Sequence, residues 1–187
     1  MSFQELNPDF LLNTVSDQGY NPAGNIFQLN SYENRVYEVP LDDGDPIVAK
    51  FYRPKRWDKN ALIDEHFVLK KLEEAEIPVV RPLVLQNYTD FETFDYKDPF
   101  FYALYPKFLG HMESELTNEH RTWVGRTLAR LHNVTATLNI RHRIPLNTQT
   151  YGDLVLPSIF EKGYVPIELQ SNLENIILQC LDEIDPL

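Results

Sequence analysis

Apolar residues recur with two different spacings, which divide the chain into a strand-rich first part and a helical second part. Short, mostly alternating apolar runs predict four strands, over residues 26–29, 35–40, 46–53 and 100–105. The polar stretch at 30–34 and the Asp43-Gly44 turn predict hairpins between the first three, so we expect these strands to pair antiparallel. Pro106 is expected to end the fourth strand.

Helical spacing of apolar residues, together with residues that favour helix ends, predicts four helices. They are expected to extend from Asn7 to Gly19, from Lys59 to Ala75, from Thr117 to Asn133 and from Glu168 to Ile184. Asn7, Asp58 and Thr117 are the predicted N-caps. Residues 141–165 are predicted to be irregular. The last helix is strongly amphipathic, so either it packs on the other parts of this chain or its packing partners lie outside it.

A lysine interrupts the apolar pattern of the third predicted strand. Side chains alternate along a strand, so Val48, Lys50 and Tyr52 are expected to share one face. A lysine among apolar neighbours either reaches water or meets an anion, because burying an unpaired ammonium is costly. The sequence of the strand alone leaves both interpretations open.

An acidic residue interrupts the leucine stripe of the second predicted helix in the same way. Leu62, Leu69 and Leu72 form an inward stripe, and Glu65 takes the position between the first two. Glu65 either lies at the rim of the stripe or pairs with a cation. An ion pair between Lys50 and Glu65 accounts for both interruptions, and it would fix an ammonium where it can hold phosphate oxygens. His66 is expected to face outward or onto the basic loop that contains Arg53, Lys55 and Arg56.

Composition narrows the possible partners and compartments. The chain has 187 residues, a length that allows one domain or one domain with part of a second, and 43% of the residues are hydrophobic. A net charge of −11 makes non-specific nucleic-acid binding unexpected, because the surface would repel phosphate backbones. The single cysteine excludes an internal disulfide. No apolar run is long enough to span a bilayer and the first residues do not form a signal peptide, so we expect a cytoplasmic protein without a membrane partner.

Two segments carry a resemblance to a known family. Residues 30–37 (NSYENRVY) and 50–57 (KFYRPKRW) resemble bacterial stress-response Ser/Thr kinases, which are built on the aminoglycoside-phosphotransferase version of the protein-kinase fold. The similarity continues in order at Glu65-His66, at 102–106 and at 124–132, and it covers most of the chain. The two longer segments are specific, whereas a lone Val-x-Lys would be weak evidence.

The resemblance implies an α+β, protein-kinase-like fold. Residues 1–106 are expected to form an N-lobe with an antiparallel β-sheet and one inward helix, which binds the nucleotide. Residues 107–187 are expected to supply the hinge and an incomplete, mainly helical C-lobe.

The resemblance also implies ATP as the cofactor and assigns residues to its parts. Lys50 is expected to bind the α and β phosphates and Glu65 to orient Lys50, while Val48 packs on adenine. A turn without glycine would cover the phosphates through its side chains and N–H groups, and it comprises Ser31, Tyr32, Glu33 and Asn34. The expected hinge comprises Tyr105, Pro106, Lys107 and Phe108.

The catalytic loop of this family, H-G-D-x-H-x-x-N, is not found in the sequence. Tyr151-Gly152-Asp153 resembles its opening, but Val155 and Ser158 occupy the positions of the His and the Asn, so Asp153 is interpreted as a loop residue. We therefore expect no catalytic and no metal-binding residue in this chain, with the Mg²⁺ ligands beyond residue 187. The chain is expected to be the N-terminal part of a longer kinase and inactive alone.

Three functions remain open at this point. The first is an ATP-dependent Ser/Thr protein kinase of bacterial stress response, whose partner is a protein substrate. The second keeps the fold but transfers phosphate to a small molecule of the aminoglycoside or choline type. The third is a non-catalytic nucleotide-binding or interaction module.

Overall fold

A five-stranded antiparallel sheet organises the first part of the computed structural model, which describes residues 3–110, 113 and 115–184. Its strands are β1 (Phe27–Leu29), β2 (Arg35–Val39), β3 (Ile47–Phe51), β4 (Asp95–Lys97) and β5 (Phe100–Pro106). They are ordered β1-β2-β3-β5-β4, so β3 lies at the centre between β2 and β5. The four predicted strands are confirmed, each within two residues of its predicted ends.

The strand β4 was not predicted from the sequence. It is three residues long, its sequence Asp-Tyr-Lys is mostly polar, and it pairs only with β5 at the sheet edge. A strand this short and polar has no apolar alternation to reveal it, and it forms because β5 supplies its hydrogen-bonding partners.

The four predicted helices are confirmed, and a further short one is present in the described residues. The helices are α1 (Pro8–Ser16), α2 (Lys59–Glu74), α3 (Asn118–Thr135), α4 (Leu156–Glu161) and α5 (Ile167–Ile184). All three predicted caps accept a backbone N–H at the helix start. Asn7 accepts from Phe10 at 2.9 Å, Asp58 from Ala61 at 2.8 Å, and Thr117 accepts in the same way at the start of α3.

The prediction of an irregular segment over 141–165 is wrong in part. A π-helical turn (Gln149–Asp153) and α4 lie within it. Both are too short for an apolar period to be recognised, and Pro157 and Gly163 suggested a break. Asp153 therefore belongs to a helical turn and not to a loop, and its side chain is exposed.

One face of the sheet is closed by α1 and by the segment around Leu85. Ten buried residues form a continuous core there, drawn from α1, from the last position of β2, from alternate positions of β3 and β5, and from Leu85. Leu11 and Val15 are the residues that α1 contributes, and both are at most 1% exposed. The alternation of strand side chains thus places Ile47, Ala49 and Phe51 in this core.

The opposite face of the sheet is covered in part by α2. A smaller core of Tyr52, Leu62, Phe94 and Ala103 lies between α2 and the strands. The remaining side chains of this face, which include Val48 and Lys50, are only half-buried. An open cleft therefore remains on this side of the sheet.

The chain divides into two units by its contacts, residues 1–141 and 142–187. In the second unit α5 packs on the π-helical turn, where a side chain added at Gly152 would meet Leu181. None of the residues described in α5 is fully buried. The division into lobes at residue 106 stays a prediction. Of the two predicted lobes, residues 1–2 of the first and residues 111–112, 114 and 185–187 of the second lie outside the described residues. Among the described helices, none has the length and apolar character that crossing a membrane would need.

Candidate functional site

A cavity of about 480 Å³ occupies the open side of the sheet. Three charged side chains line it, Lys50, Glu65 and Lys107, and the remaining lining is mostly apolar. The other lining residues are Leu29, Val36, Val48, Leu69, Val80, Tyr105, Pro106 and Phe108. The cleft thus combines an apolar wall with a small charged centre, as binding sites for small molecules commonly do.

The strand register explains why these residues meet. Lys50 lies opposite Val36 on one side and Ala103 on the other, and Leu29 lies opposite Val36. Residues opposite one another in a sheet share a face, so the lysine lies within an otherwise apolar row that crosses the sheet. Val48 lies two residues earlier on the same face and opposite Tyr105, which brings it to the cavity as well.

The predicted ion pair between Lys50 and Glu65 is present. Lys50 Nζ lies 2.6 Å from Glu65 Oε1, and each side chain is 21% exposed. Partial exposure lets both groups keep some hydration while they interact, so the pair avoids the full cost of burial. The geometry fixes the ammonium against α2 on the wall of the cavity.

A second donor reaches the same carboxylate. The Tyr52 hydroxyl donates to Glu65 Oε1 over 3.0 Å, and it also lies 2.9 Å from His66 Nε2. His66 Nδ1 lies 2.8 Å from the Thr93 hydroxyl. The expectation that His66 faces outward or onto the basic loop is therefore wrong, because the imidazole is 8% exposed, bonds to Tyr52 and Thr93 and packs edge-on against Phe94.

Burial shifts the titration of the groups around this carboxylate. Burial lowers the pKa of His66 to about 4, while Glu65 acts to raise that pKa and Lys50 to lower it. Burial raises the pKa of Tyr105 to about 12. The pKa of Tyr52 is also raised well above its usual value, first by burial and then by the neighbouring Tyr105 and Glu65. At neutral pH the imidazole and both phenols are therefore uncharged.

The predicted phosphate-covering turn lies apart from the lining of this cavity. Tyr32 is fully exposed, and Ser31, Glu33 and Asn34 are half-buried. Contacts from the loop after β3 hold the turn: the Trp57 indole N–H donates to Glu33, and the Arg53 backbone N–H donates to the Asn34 side chain at 3.3 Å. Arg56 also pairs with Glu33, at 3.5 Å, so part of the basic cluster orders this turn.

The predicted hinge residues all line the cavity. Tyr105 and Pro106 end β5, and Lys107 and Phe108 continue from it. Lys107 pairs with Glu38 on β2, which ties the chain after β5 back to the sheet. Their contact with adenine stays a prediction.

Several residues of this region were not predicted from the sequence. Leu29, Val36, Leu69 and Val80 line the cavity but belong to patterns typical of any core. His66 and Thr93 were missed because their contact depends on how α2 packs against the segment before β4. Among the described residues, no three His, Cys, Asp or Glu side chains lie close enough together to hold a metal ion.

Comparison with known proteins identifies the family. The family model for the phosphotransferase enzyme family (APH) matches residues 26–186. The chain belongs to this family. The match includes the whole sheet, the cavity and the helices after it, which agrees with the resemblance seen in the sequence.

Curated relatives in this phosphotransferase family are named stress response kinase A. The protein from Escherichia coli O157:H7 is 31% identical over 185 residues, which is 98% of this chain and 53% of the relative. A relative from Salmonella typhimurium, named serine/threonine protein kinase RdoA, is 35% identical over 70% of this chain and 39% of its own length. The chain thus spans about half the length of the first of these relatives and less of the second.

Solved structures share the fold of this phosphotransferase-family chain. An amicoumacin kinase, hAmiN, solved with AMP-PNP, Ca²⁺ and Ami, superposes with a TM-score of 0.66 at 18% identity, covering 94% of this chain and 51% of that one. A microcompartment-associated aminopropanol kinase superposes with a TM-score of 0.61, also at 18% identity, over 79% of this chain and 47% of its own. These likenesses establish the predicted α+β, protein-kinase-like fold.

Proposed function

We propose that this chain is the nucleotide-holding, N-terminal portion of an ATP-dependent Ser/Thr protein kinase of bacterial stress response. The observation that carries the proposal is the Lys50–Glu65 ion pair on the wall of the apolar cleft. The names of the curated relatives support the kinase activity, the Ser/Thr specificity and the connection with stress response.

The cleft residues fit the chemistry of ATP. An ammonium carries three N–H donors and Glu65 takes one from Lys50, so donors remain for phosphate oxygens. The side chains of Leu29, Val36 and Val48 line the same cavity and offer an apolar surface for a flat base. Backbone groups of residues 105–108 lie at the edge of the same cavity, where they can recognise that base through hydrogen bonds. The turn 31–34 is proposed to close over the phosphates.

The proposal places the catalytic aspartate and the Mg²⁺ ligands beyond residue 187. The structural neighbour named for its complex with AMP-PNP and Ca²⁺ supports the use of a nucleotide with a divalent cation. Within this chain, Lys50 and Glu65 would position the phosphates, and groups outside it would act on the acceptor hydroxyl.

A small-molecule acceptor is the second candidate. It is favoured by the names of the structural neighbours, an amicoumacin kinase and an aminopropanol kinase. Offering the full-length protein a generic protein substrate, an aminoglycoside and an amino alcohol with labelled ATP separates the two. Transfer to protein alone supports the first proposal, and transfer to a small molecule alone overturns its acceptor class. Nucleotide binding without transfer to any of them indicates a non-catalytic module.

Lys50→Ala tests the assignment of the ion pair. We expect phosphoryl transfer by the full-length protein to fall by more than about 100-fold, because the variant loses the charge that positions the phosphates. Lys97→Ala is the matched control, since Lys97 pairs with Asp17, away from the cleft. Turnover of Lys50→Ala at the wild-type rate would remove Lys50 from the mechanism.

The isolated 187-residue chain is expected to bind ATP with Mg²⁺ weakly or not at all, because the proposed metal ligands lie outside it. Isothermal calorimetry measures this directly. Tight, Mg²⁺-dependent binding to this chain would contradict the proposed division of the site.

A further inference from the structure

Two donors converge on one oxygen of Glu65, and only one of them belongs to the ion pair. Lys50 Nζ and the Tyr52 hydroxyl both reach Glu65 Oε1, at 2.6 and 3.0 Å. Lys50 Nζ also lies 4.4 Å from the centre of the Tyr52 ring. Tyr52 therefore contacts both members of the pair: its hydroxyl contacts the Glu65 carboxylate, and its ring contacts the Lys50 ammonium.

The hydrogen bonds form a chain with one direction. A carboxylate can only accept, so the Tyr52 hydroxyl uses its proton on Glu65. His66 Nε2 must then carry the proton that it shares with the Tyr52 oxygen, and His66 Nδ1 accepts from the Thr93 hydroxyl. This order runs from Thr93 through His66 and Tyr52 to Glu65. The Tyr105 hydroxyl, which also hydrogen-bonds to Tyr52, must then donate to the Tyr52 oxygen.

The surroundings keep this order in place at neutral pH. Tyr52 is 1% exposed and His66 is 8% exposed, and both pack in the aromatic core around Phe94. The charged groups that act on His66 are Glu65 and Lys50. Burial lowers the pKa of the imidazole to about 4, which keeps it neutral, with one donor and one acceptor nitrogen.

We propose that Tyr52 and His66 are positioning residues for the Lys50–Glu65 pair. A glutamate that is 21% exposed on a helix has several rotamers available, and a second, buried donor restricts it to the one that meets Lys50. The effect on phosphoryl transfer rests on the proposed function, whereas the effect on the ion pair does not.

Acylation of Lys50 tests the effect on the ion pair without any nucleotide. Lys50 is 21% exposed and its Nζ is held against the Glu65 carboxylate, so the pair keeps the amine from reaching an N-hydroxysuccinimide ester, and the labelling rate reports whether the pair is formed. In Tyr52→Phe, which keeps the ring and removes only the hydroxyl, we expect the labelling rate of Lys50 in the full-length protein to rise by about threefold to tenfold, as for loss of a charge-assisted hydrogen bond.

Tyr102→Phe is the matched control for this measurement. Its hydroxyl is also buried and hydrogen-bonded, accepting from Gln18 at 2.7 Å, but it lies on the closed face of the sheet. We expect no change in the labelling of Lys50 in this variant. Equal labelling rates in wild type, Tyr52→Phe and Tyr102→Phe would overturn the proposal.

Two substitutions at His66 separate positioning from packing. His66→Gln offers an amide donor near the place of Nε2, and His66→Leu offers none. We expect His66→Leu to raise the labelling rate of Lys50 toward that of Tyr52→Phe, and His66→Gln to restore most of the protection. Equal labelling in the two variants would show that His66 acts only by filling space.

Kinetics in a double-mutant cycle test the effect on the reaction. Tyr52→Phe is expected to lower kcat/KM for ATP about tenfold in the wild-type background and to have no further effect in Glu65→Gln, since it acts through that carboxylate. A persistent effect in Glu65→Gln would contradict the proposal. If the wild-type protein transfers no phosphate, the proposed function fails, and the labelling experiment still decides whether Tyr52 positions the pair.

Discussion

The two faces of the sheet are built from the same strands and differ in what covers them. On the face toward α1, Ile47, Ala49 and Phe51 are at most 5% exposed and belong to the larger hydrophobic core. On the face toward α2, Val48 and Lys50 alternate with them and lie half-open to the cleft. The difference shows that β3 contributes to stability through one set of side chains and to the candidate site through the other.

A substitution in the closed face should have the largest effect on stability. Phe51 is fully buried and contacts the rings of Phe10, Phe100 and Tyr102. We expect Phe51→Ala to lower the free energy of unfolding by about 3–5 kcal/mol, through lost burial and a residual cavity. Urea denaturation measures this change.

Val48→Ala is the comparison for that substitution on the open face. Val48 loses less buried surface on truncation, so we expect a cost below about 1.5 kcal/mol. Equal costs for Phe51→Ala and Val48→Ala would mean that the cleft is closed in solution.

The polar network on the open face should make stability depend on pH. The pKa of His66 falls to about 4 in the folded chain from an ordinary value near 6.5. Because the unfolded chain binds the proton more readily, the stabilisation is complete above pH 6.5 and is lost as the pH falls toward 4. We expect wild type to lose about 3 kcal/mol over this range relative to His66→Gln, in unfolding measurements at each pH.

Other groups that titrate over the same range contribute equally to the free energy of unfolding of wild type and variant, so their contributions cancel in the difference. A difference that is independent of pH would show that His66 is solvated in the folded protein, contrary to its 8% exposure.

An exposed ion pair on α2 should have the smallest effect. Lys71 and Glu74 lie three residues apart at 2.6 Å, and both side chains are more than a third exposed. Lys71→Ala is expected to change the free energy of unfolding by less than about 0.5 kcal/mol, since solvent screens the pair. A loss of more than about 1 kcal/mol in the free energy of unfolding, measured by thermal or urea denaturation, would contradict the expectation that solvent screens this pair.

The sequence predicted the elements whose signals are local. Caps at Asn7, Asp58 and Thr117 were recognised because a side-chain oxygen acts on N–H groups two or three residues away. The Lys50–Glu65 pair was also predictable, because each residue broke an apolar pattern of known period. When two adjacent elements each carry one such polar interruption, with opposite charges, the two side chains are predicted to contact each other.

Contacts that depend on tertiary packing could not be predicted in this way. His66 was expected to face outward or onto the basic loop because it follows Glu65. Neither its spacing on α2 nor its polarity indicates the Tyr52 and Thr93 hydroxyls. The strand β4 has no signal apart from its partner β5. The extent of the cavity depends on Val80, which no element of the sheet or of α2 contains.

The hydrogen bond between the Trp57 indole and Glu33 makes Trp57 an intrinsic fluorescence probe of the turn 31–34. An indole's emission responds to its polar neighbours, so a movement of residues 31–34 changes the fluorescence of a side chain that lies outside the cavity. Trp123, the other tryptophan, is 63% exposed on α3 and supplies a solvent-like reference signal. Closure of the turn over a nucleotide would thus be observable in the unlabelled protein.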